Sequence, residues 1–205
     1  MIAAQRRRAA DLIEGLTPEQ LSTPSLCGEW TVHEVAAHLL MPLVTPTSAV
    51  MAQLVRSGFN FNKASVRLSK AVAASHSGAQ IAAGLRTNAD HAFKPPGSGY
   101  EAPLDDAIVH QQDIRRPLGL GTDIDPEPAK VCLTFLASGA GKGIVPKSRV
   151  AGLRFEATDL DWSYGAGPVV RGPAEAVLLA IAGRRVALDE VEGDGTAVLR
   201  GRLGD

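Results

Sequence analysis

The chain has 205 residues, of which 45% are hydrophobic, and a formal net charge of −1. That length suits one large domain or a medium domain with a small one, and the near-neutral charge offers no basic footprint for nucleic acid. No apolar run approaches the ~20 residues that a membrane span needs, and the basic N-terminus lacks the apolar core of a signal peptide. Two distant cysteines, Cys27 and Cys132, argue against a disulfide framework or a cysteine-rich zinc site. We therefore expect a cytoplasmic protein that binds neither nucleic acid nor membranes.

Helical patterns dominate the first 143 residues. Apolar residues recur at helical spacing, and proline, glycine and capping residues separate the segments. The short basic run Arg6–Arg8 is expected to lie on the solvated face of the first helix. Residues 94–99 form a Pro/Gly-rich break, and 138–143 lack the P-loop pattern and are predicted to be a linker. The predicted helices cover 2–13, a turn from 17, 31–41, 46–56, 60–74, 77–93, 104–116 and 129–137.

The helix that begins at Thr31 carries the first candidate ligand. Thr31 and Glu34 have the spacing of a capping box. His38 lies beside the apolar stripe of this helix, where it could face the centre of a bundle. Pro42 cannot donate to the His38 carbonyl, so we expect a kink or a stop there. Taken alone, a histidine in this position is more often a core or boundary histidine satisfied by hydrogen bonds than a ligand.

A second polar constellation lies in residues 104–119. Asp106 and His110 are four residues apart, so a helix places them on one face, with Asp113 near the same face. Together with His38 from another helix they would form a three-point site with open positions, which is typical of a catalytic metal. The alternatives are a solvated helix face, or a structural bundle in which the polar residues are satisfied by hydrogen bonds.

Four further residues lie near these helices, and three of them have two interpretations each. Trp30 would pack against the start of the His38 helix. Cys27 is either structural or a thiol near the site. Arg115 and Arg116 suit the last turn of a helix because of its dipole, yet a guanidinium could also hold the carboxylate of an anionic substrate.

The pattern changes after about residue 145. Residues 153–158 alternate as a half-buried strand does, and 161–165 and 168–171 suggest two more short strands joined by a glycine turn. Helices are predicted at 174–182 and 196–203. We therefore predict a mainly α chain, with a helical domain over 1–143 followed by a small α+β domain over 144–205.

Several stretches in order resemble the mycothiol-dependent maleylpyruvate isomerase family, a branch of the DinB-like four-helix-bundle metalloproteins. The likeness covers nearly the whole chain. It is carried by residues 16–20 (LTPEQ), 25–32 (SLCGEWTV), 38–39 (HL), 109–113 (VHQQD), 157–162 (ATDLDW) and 170–176 (VRGPAEA).

The resemblance implies a DinB-like four-helix bundle that holds a divalent metal, usually zinc, with nickel as the other candidate. The metal ligands would be His38, Asp106 and His110, with Asp106 standing where the isomerase has the longer glutamate. Asp113 would orient His110 or a bound water, and Asp113 and Arg115 are the catalytic candidates. The residues that would bind the thiol cosubstrate are not predicted.

Family members use mycothiol as cosubstrate, so the resemblance implies a metal-dependent isomerase or S-transferase. A thiol bound to the metal would become a thiolate and attack an electrophilic small molecule. The alternative is a non-catalytic regulatory protein that binds a metal or a small ligand on the same bundle. Either protein would be a monomer or a homodimer.

Overall fold

The computed structural model describes residues 1–95, 97–140 and 144–204. Its helices and strands form two compact units. One comprises Met1–Phe93 and Asp106–Gly121, and the other comprises Lys94–Asp105 and Thr122–Asp205. Residues 141–143, the last three positions of the predicted linker, lie outside the described residues. They directly precede the predicted domain boundary after residue 143.

The predicted class, mainly α with a small α+β part near the C-terminus, is confirmed. None of the described helices combines the length and apolar character needed to cross a membrane. The helices are α1 (Ile2–Glu14), α2 (Pro18–Ser22), α3 (Val32–Val44), α4 (Thr47–Arg56), α5 (Phe61–Ser75), α6 (Gly78–Thr87), α7 (Glu101–Arg115), α8 (Pro126–Ala137), α9 (Lys147–Val150), α10 (Ala174–Ala182) and α11 (Gly195–Leu203). A 3₁₀ helix spans Arg185–Asp189, and the strands are β1 (Arg154–Ala157), β2 (Ser163–Gly165) and β3 (Val169–Gly172).

The helical unit is a bundle whose long helices pack around one apolar core. Helix α3 packs against α5 and α6, and α1 packs against α6. Ile114 of α7 is fully buried in the same apolar cluster as residues of α1, α3 and α6. Burial of these apolar faces supplies most of the stabilisation that short helices lack on their own.

Helix α3 begins as its sequence predicts but does not end there. The Thr31 hydroxyl accepts the Glu34 N–H at 3.2 Å, and the Glu34 carboxylate accepts the Thr31 N–H at 2.9 Å. The expected stop at Pro42 is wrong, since the helix continues to Val44. The missing N–H of Pro42 removes one hydrogen bond of the helix. Because only two helical residues follow the proline, the last turn persists.

Helix α6 ends at Thr87, earlier than the predicted 93, and a side chain of α1 contacts the segment that follows it. Arg6 is buried rather than solvated. Its guanidinium donates to the carbonyls of Ala89 at 2.9 Å and His91 at 2.6 Å. These carbonyls belong to the segment after the helix end at Thr87, so a side chain from another helix satisfies backbone acceptors of that segment.

The C-terminal unit contains a three-stranded sheet with the order β2-β1-β3. Strand β1 is antiparallel to β2 and parallel to β3, so the two strands predicted to be joined by a glycine turn flank β1 instead of pairing. Every residue of α10 except its last, Ala182, is buried. At its start, the Ala174 N–H donates to the Asp159 carboxylate at 2.7 Å.

Candidate metal centre

Three candidate ligands from two helices of the helical unit converge on one point. His38 comes from α3, and Asp106 and His110 come from successive turns of α7. The Asp106 Oδ1 atom lies 3.3 Å from the His38 Nε2 atom and 3.4 Å from the His110 Nε2 atom. The two imidazole rings meet edge to face, with centroids 4.9 Å apart. The structure thus brings together all three predicted ligands.

Buried polar contacts on other faces of α7 fix its register. Gln111 is buried and its amide donates to the Gln5 side chain of α1 at 3.2 Å. On the same helix, the Asp113 carbonyl accepts the Leu26 N–H of the loop before α3 at 3.2 Å. These contacts keep Asp106 and His110 turned toward His38.

Asp113 lies directly behind His110. Its side chain is fully buried, and its Oδ2 atom accepts a hydrogen bond from the His110 Nδ1–H group at 2.8 Å. A carboxylate cannot donate, so the proton sits on Nδ1 and the Nε2 lone pair faces Asp106 in the neutral imidazole. Such a carboxylate–histidine pair is the usual support of a metal-binding histidine.

The electrostatics of the cluster favour positive charge between the three groups. Burial alone would raise the pKa of Asp106, but the facing His38 and His110 hold that pKa well below its usual range. Burial would lower the pKa of His110, yet Asp106, Asp113 and Cys27 raise it well above its usual value. The point between the imidazoles and the carboxylate therefore attracts a cation or a proton.

The donor set fits zinc. Zinc bonds to imidazole nitrogen and carboxylate oxygen are about 2.0–2.2 Å long, so neighbouring ligand atoms of a tetrahedral site lie about 3.3–3.5 Å apart. The two Asp106 distances, 3.3 and 3.4 Å, match that edge. Three protein ligands leave a fourth position open, which is the arrangement of catalytic rather than structural zinc.

The site is open on the Asp106 side. The Asp106 side chain is 37% exposed, compared with 17% for His38 and 11% for His110. Trp30 covers part of His38, with ring centroids 5.2 Å apart, and also packs on the apolar core as expected. A small molecule could reach the open position past the carboxylate.

Two further residues lie near the site: Ser69, which was not predicted there, and Cys27, for which a thiol near the site was one interpretation. Ser69 of α5 contacts the His38 Nδ1 atom at 3.0 Å through its hydroxyl. Its only sequence signal is a serine on the buried stripe of α5, three residues before Val72. The Cys27 sulfur lies within 4.8 Å of ligand atoms of both His110 and Asp113. Cys27 is therefore a thiol near the site, as one of its two interpretations predicted.

Arg115 is the last residue of α7, five residues after His110. At 100° per residue it lies about 140° around the helix from His110. It is half-buried. Its catalytic role stays a prediction.

Comparison with known proteins places the chain in a family. The family model described as mycothiol maleylpyruvate isomerase N-terminal domain matches residues 2–115, more than half of the chain. No curated protein matches. The crystal structure of the mycothiol-dependent maleylpyruvate isomerase is 16% identical, covers 96% of this chain and 94% of its own, and has a TM-score of 0.46. A mutant of that enzyme gives the same identity and coverage, with a TM-score of 0.44. On the family match alone, this chain belongs to the mycothiol maleylpyruvate isomerase N-terminal domain family.

Proposed function

We propose that the protein is a metal-dependent enzyme of the mycothiol-dependent isomerase or S-transferase type. In this proposal His38, Asp106 and His110 hold one divalent metal, with zinc preferred to nickel. A small electrophile and a low-molecular-weight thiol, mycothiol, are the reactants. Family membership supports the thiol, and the geometry of the three side chains supports the metal.

The observation that carries the proposal is the convergence of two imidazole Nε2 atoms on one carboxylate oxygen. The His110 Nδ1 proton is committed to Asp113, so in the neutral imidazole the Nε2 atom presents a lone pair to Asp106. Acceptors that face one another at 3.3–3.4 Å repel unless a cation or a proton lies between them. A zinc ion satisfies all three acceptors at once.

A bound zinc supplies one kind of chemistry: it lowers the pKa of a coordinated thiol so that thiolate is present at neutral pH. The residues of the chain have simpler roles. Asp113 holds His110 in the ligating tautomer, while Trp30 shields one side of His38 from water. The exposed side of Asp106 leaves room for thiol and electrophile to meet. Addition of the thiolate to an activated alkene, followed by rotation and elimination, would give cis–trans isomerisation.

The decisive experiment is elemental analysis of untagged wild-type protein beside His38→Ala and His110→Ala. We expect about one zinc per chain in the wild type and loss of it in both variants. Each ligand contributes about 3–4 kcal/mol if the free energy of a four-ligand zinc site is shared equally, so affinity should fall on the order of 10²–10³-fold. His76→Ala is the matched control, because among the described residues that histidine bonds to Val72 and Ser75 of α5 and to no metal-site residue.

Activity is then tested with mycothiol and maleylpyruvate as the first probe, and with an alkyl halide as a probe of S-transfer. Mycothiol-dependent turnover of either probe that disappears in His110→Ala would support the enzyme. Zinc binding without turnover of either probe would favour the regulatory alternative. A wild-type protein that binds neither zinc nor nickel would overturn the proposal.

A further inference from the structure

We infer that Ser69 is a positioning residue that fixes the tautomer of His38, so that its Nε2 lone pair faces the metal position. The effect of Ser69 on metal binding rests on the proposed metal site. Its effect on the tautomer can be measured without metal. The two histidines would then be held by different partners, a buried carboxylate behind His110 and a buried hydroxyl behind His38.

The contact between Ser69 and His38 joins two helices. The Ser69 hydroxyl oxygen lies 3.0 Å from the His38 Nδ1 atom, and Ser69 is fully buried. The pair is 31 residues apart in the chain, and it lies where α5 packs against α3. Ser69 is therefore a buried partner of Nδ1 at a contact between helices.

The direction of this hydrogen bond follows from what else Ser69 touches. Its hydroxyl donates to the Ser65 carbonyl one turn earlier, at 2.9 Å. A hydroxyl has one proton and two lone pairs. When that proton goes to Ser65, the oxygen is left to accept from His38. The Nδ1 atom therefore carries the hydrogen.

The tautomer decides whether His38 can act as a ligand. A neutral imidazole with its proton on Nδ1 has its lone pair on Nε2, the atom that lies 3.3 Å from Asp106. The opposite tautomer would present an N–H group to the carboxylate and could not bind a metal there. Residues that orient metal-binding histidines in this way typically change metal affinity 10–100-fold.

The test compares Ser69→Ala with Ser75→Ala. Ser75 lies on the same helix and makes the same bond to the carbonyl four residues earlier, Ala71, also at 2.9 Å, but the structure places it against His76 rather than His38. Alanine is the best helix former, so both variants should fold. We expect zinc affinity, measured by competition with a chelator, to fall about 10–100-fold in Ser69→Ala and to stay unchanged in Ser75→Ala.

The second readout is the tautomer itself, from NMR spectra of protein labelled with ¹⁵N-histidine. The five histidines are separated by comparison with His38→Ala. We expect the wild-type His38 to carry its proton on Nδ1 in the zinc-loaded protein. In the metal-free protein at high pH, where Asp106 favours a proton on Nε2, we expect a larger fraction with the proton on Nδ1 in the wild type than in Ser69→Ala. Ser69→Thr, which keeps the hydroxyl, should restore the wild-type tautomer.

The outcomes separate this inference from the proposed function. A metal-free wild type with the same fraction of His38 protonated on Nδ1 as Ser69→Ala would overturn the inference whether or not zinc binds. Unchanged zinc affinity and an unchanged tautomer in Ser69→Ala would do the same. If the wild type binds no metal, the proposed function fails, yet the metal-free spectra still decide the role of Ser69.

Discussion

The two units of the protein have interiors of different chemistry. In the described part of the chain, the helical unit buries several polar side chains, whereas the C-terminal unit buries mainly apolar ones around α10 and β1. The polar set of the helical unit comprises Gln5, Arg6, Ser57, Ser69, His110, Gln111, Gln112 and Asp113. In the C-terminal unit the buried polar side chains are Asp105 and Glu175.

Because of that difference, the helical unit can hold the candidate metal site, while the C-terminal unit mainly contributes stability. A buried polar group must find a hydrogen bond or it destabilises the fold. The helical unit meets this condition with hydrogen bonds between helices, such as Ser69 to His38 and Gln111 to Gln5. These bonds hold side chains in fixed orientations, which a metal site requires. The apolar interior of the C-terminal unit supplies stability instead.

The largest expected effect tests the C-terminal unit. Phe155 of β1 is fully buried, so Phe155→Ala should destabilise the protein by about 3–5 kcal/mol through lost burial and a cavity. Urea unfolding measures that loss. Zinc affinity should not change, because Phe155 belongs to the unit without the metal ligands.

Phe61→Ala is the matched control for Phe155→Ala. Phe61 is 61% exposed, so its removal should change stability by less than about 0.5 kcal/mol. If Phe155→Ala left the free energy of unfolding unchanged but abolished zinc binding, the two units would not divide stability and metal binding as the burial pattern indicates.

The intermediate effect tests the site. Asp113→Asn keeps the shape of the side chain but removes the charge that supports His110. We expect zinc affinity to fall about 10–100-fold, as measured by chelator competition. Asp105→Asn is the control, since Asp105 is a buried aspartate of the same helix that faces Cys132 instead. Equal losses in both variants would contradict a specific role for Asp113.

The smallest effect compares two ways of starting a helix. Helix α3 is capped locally by Thr31, and α10 is capped by Asp159 from a preceding loop. Thr31→Ala and Asp159→Ala should each reduce the free energy of unfolding by about 1 kcal/mol. Thermal denaturation measures both, with Ser77→Ala, at the capping box of α6, as the reference. No loss in Asp159→Ala would show that the distant cap does not stabilise α10.

Much of the candidate site could be predicted because its determinants are local. The four-residue spacing of Asp106 and His110 places them on one face of any helix, and the Thr31 capping box fixes where the His38 helix begins. The support of His110 by Asp113 follows from a three-residue spacing on the same helix. Ser69 could not be assigned to the site this way, because spacing within α5 says nothing about the helix it faces.

The sequence by itself determined the helical character of the first unit, the three short strands and the helix faces that carry the ligands. Hydrophobic period and capping act over a few residues, and they can be read without knowing the fold. Only the tertiary structure decided how those elements meet. Arg6 binds the carbonyls of the segment after α6, β3 joins β1 in parallel, and Ser69 meets His38. Each of these is a contact between distant parts of the chain, set by packing that no local pattern encodes.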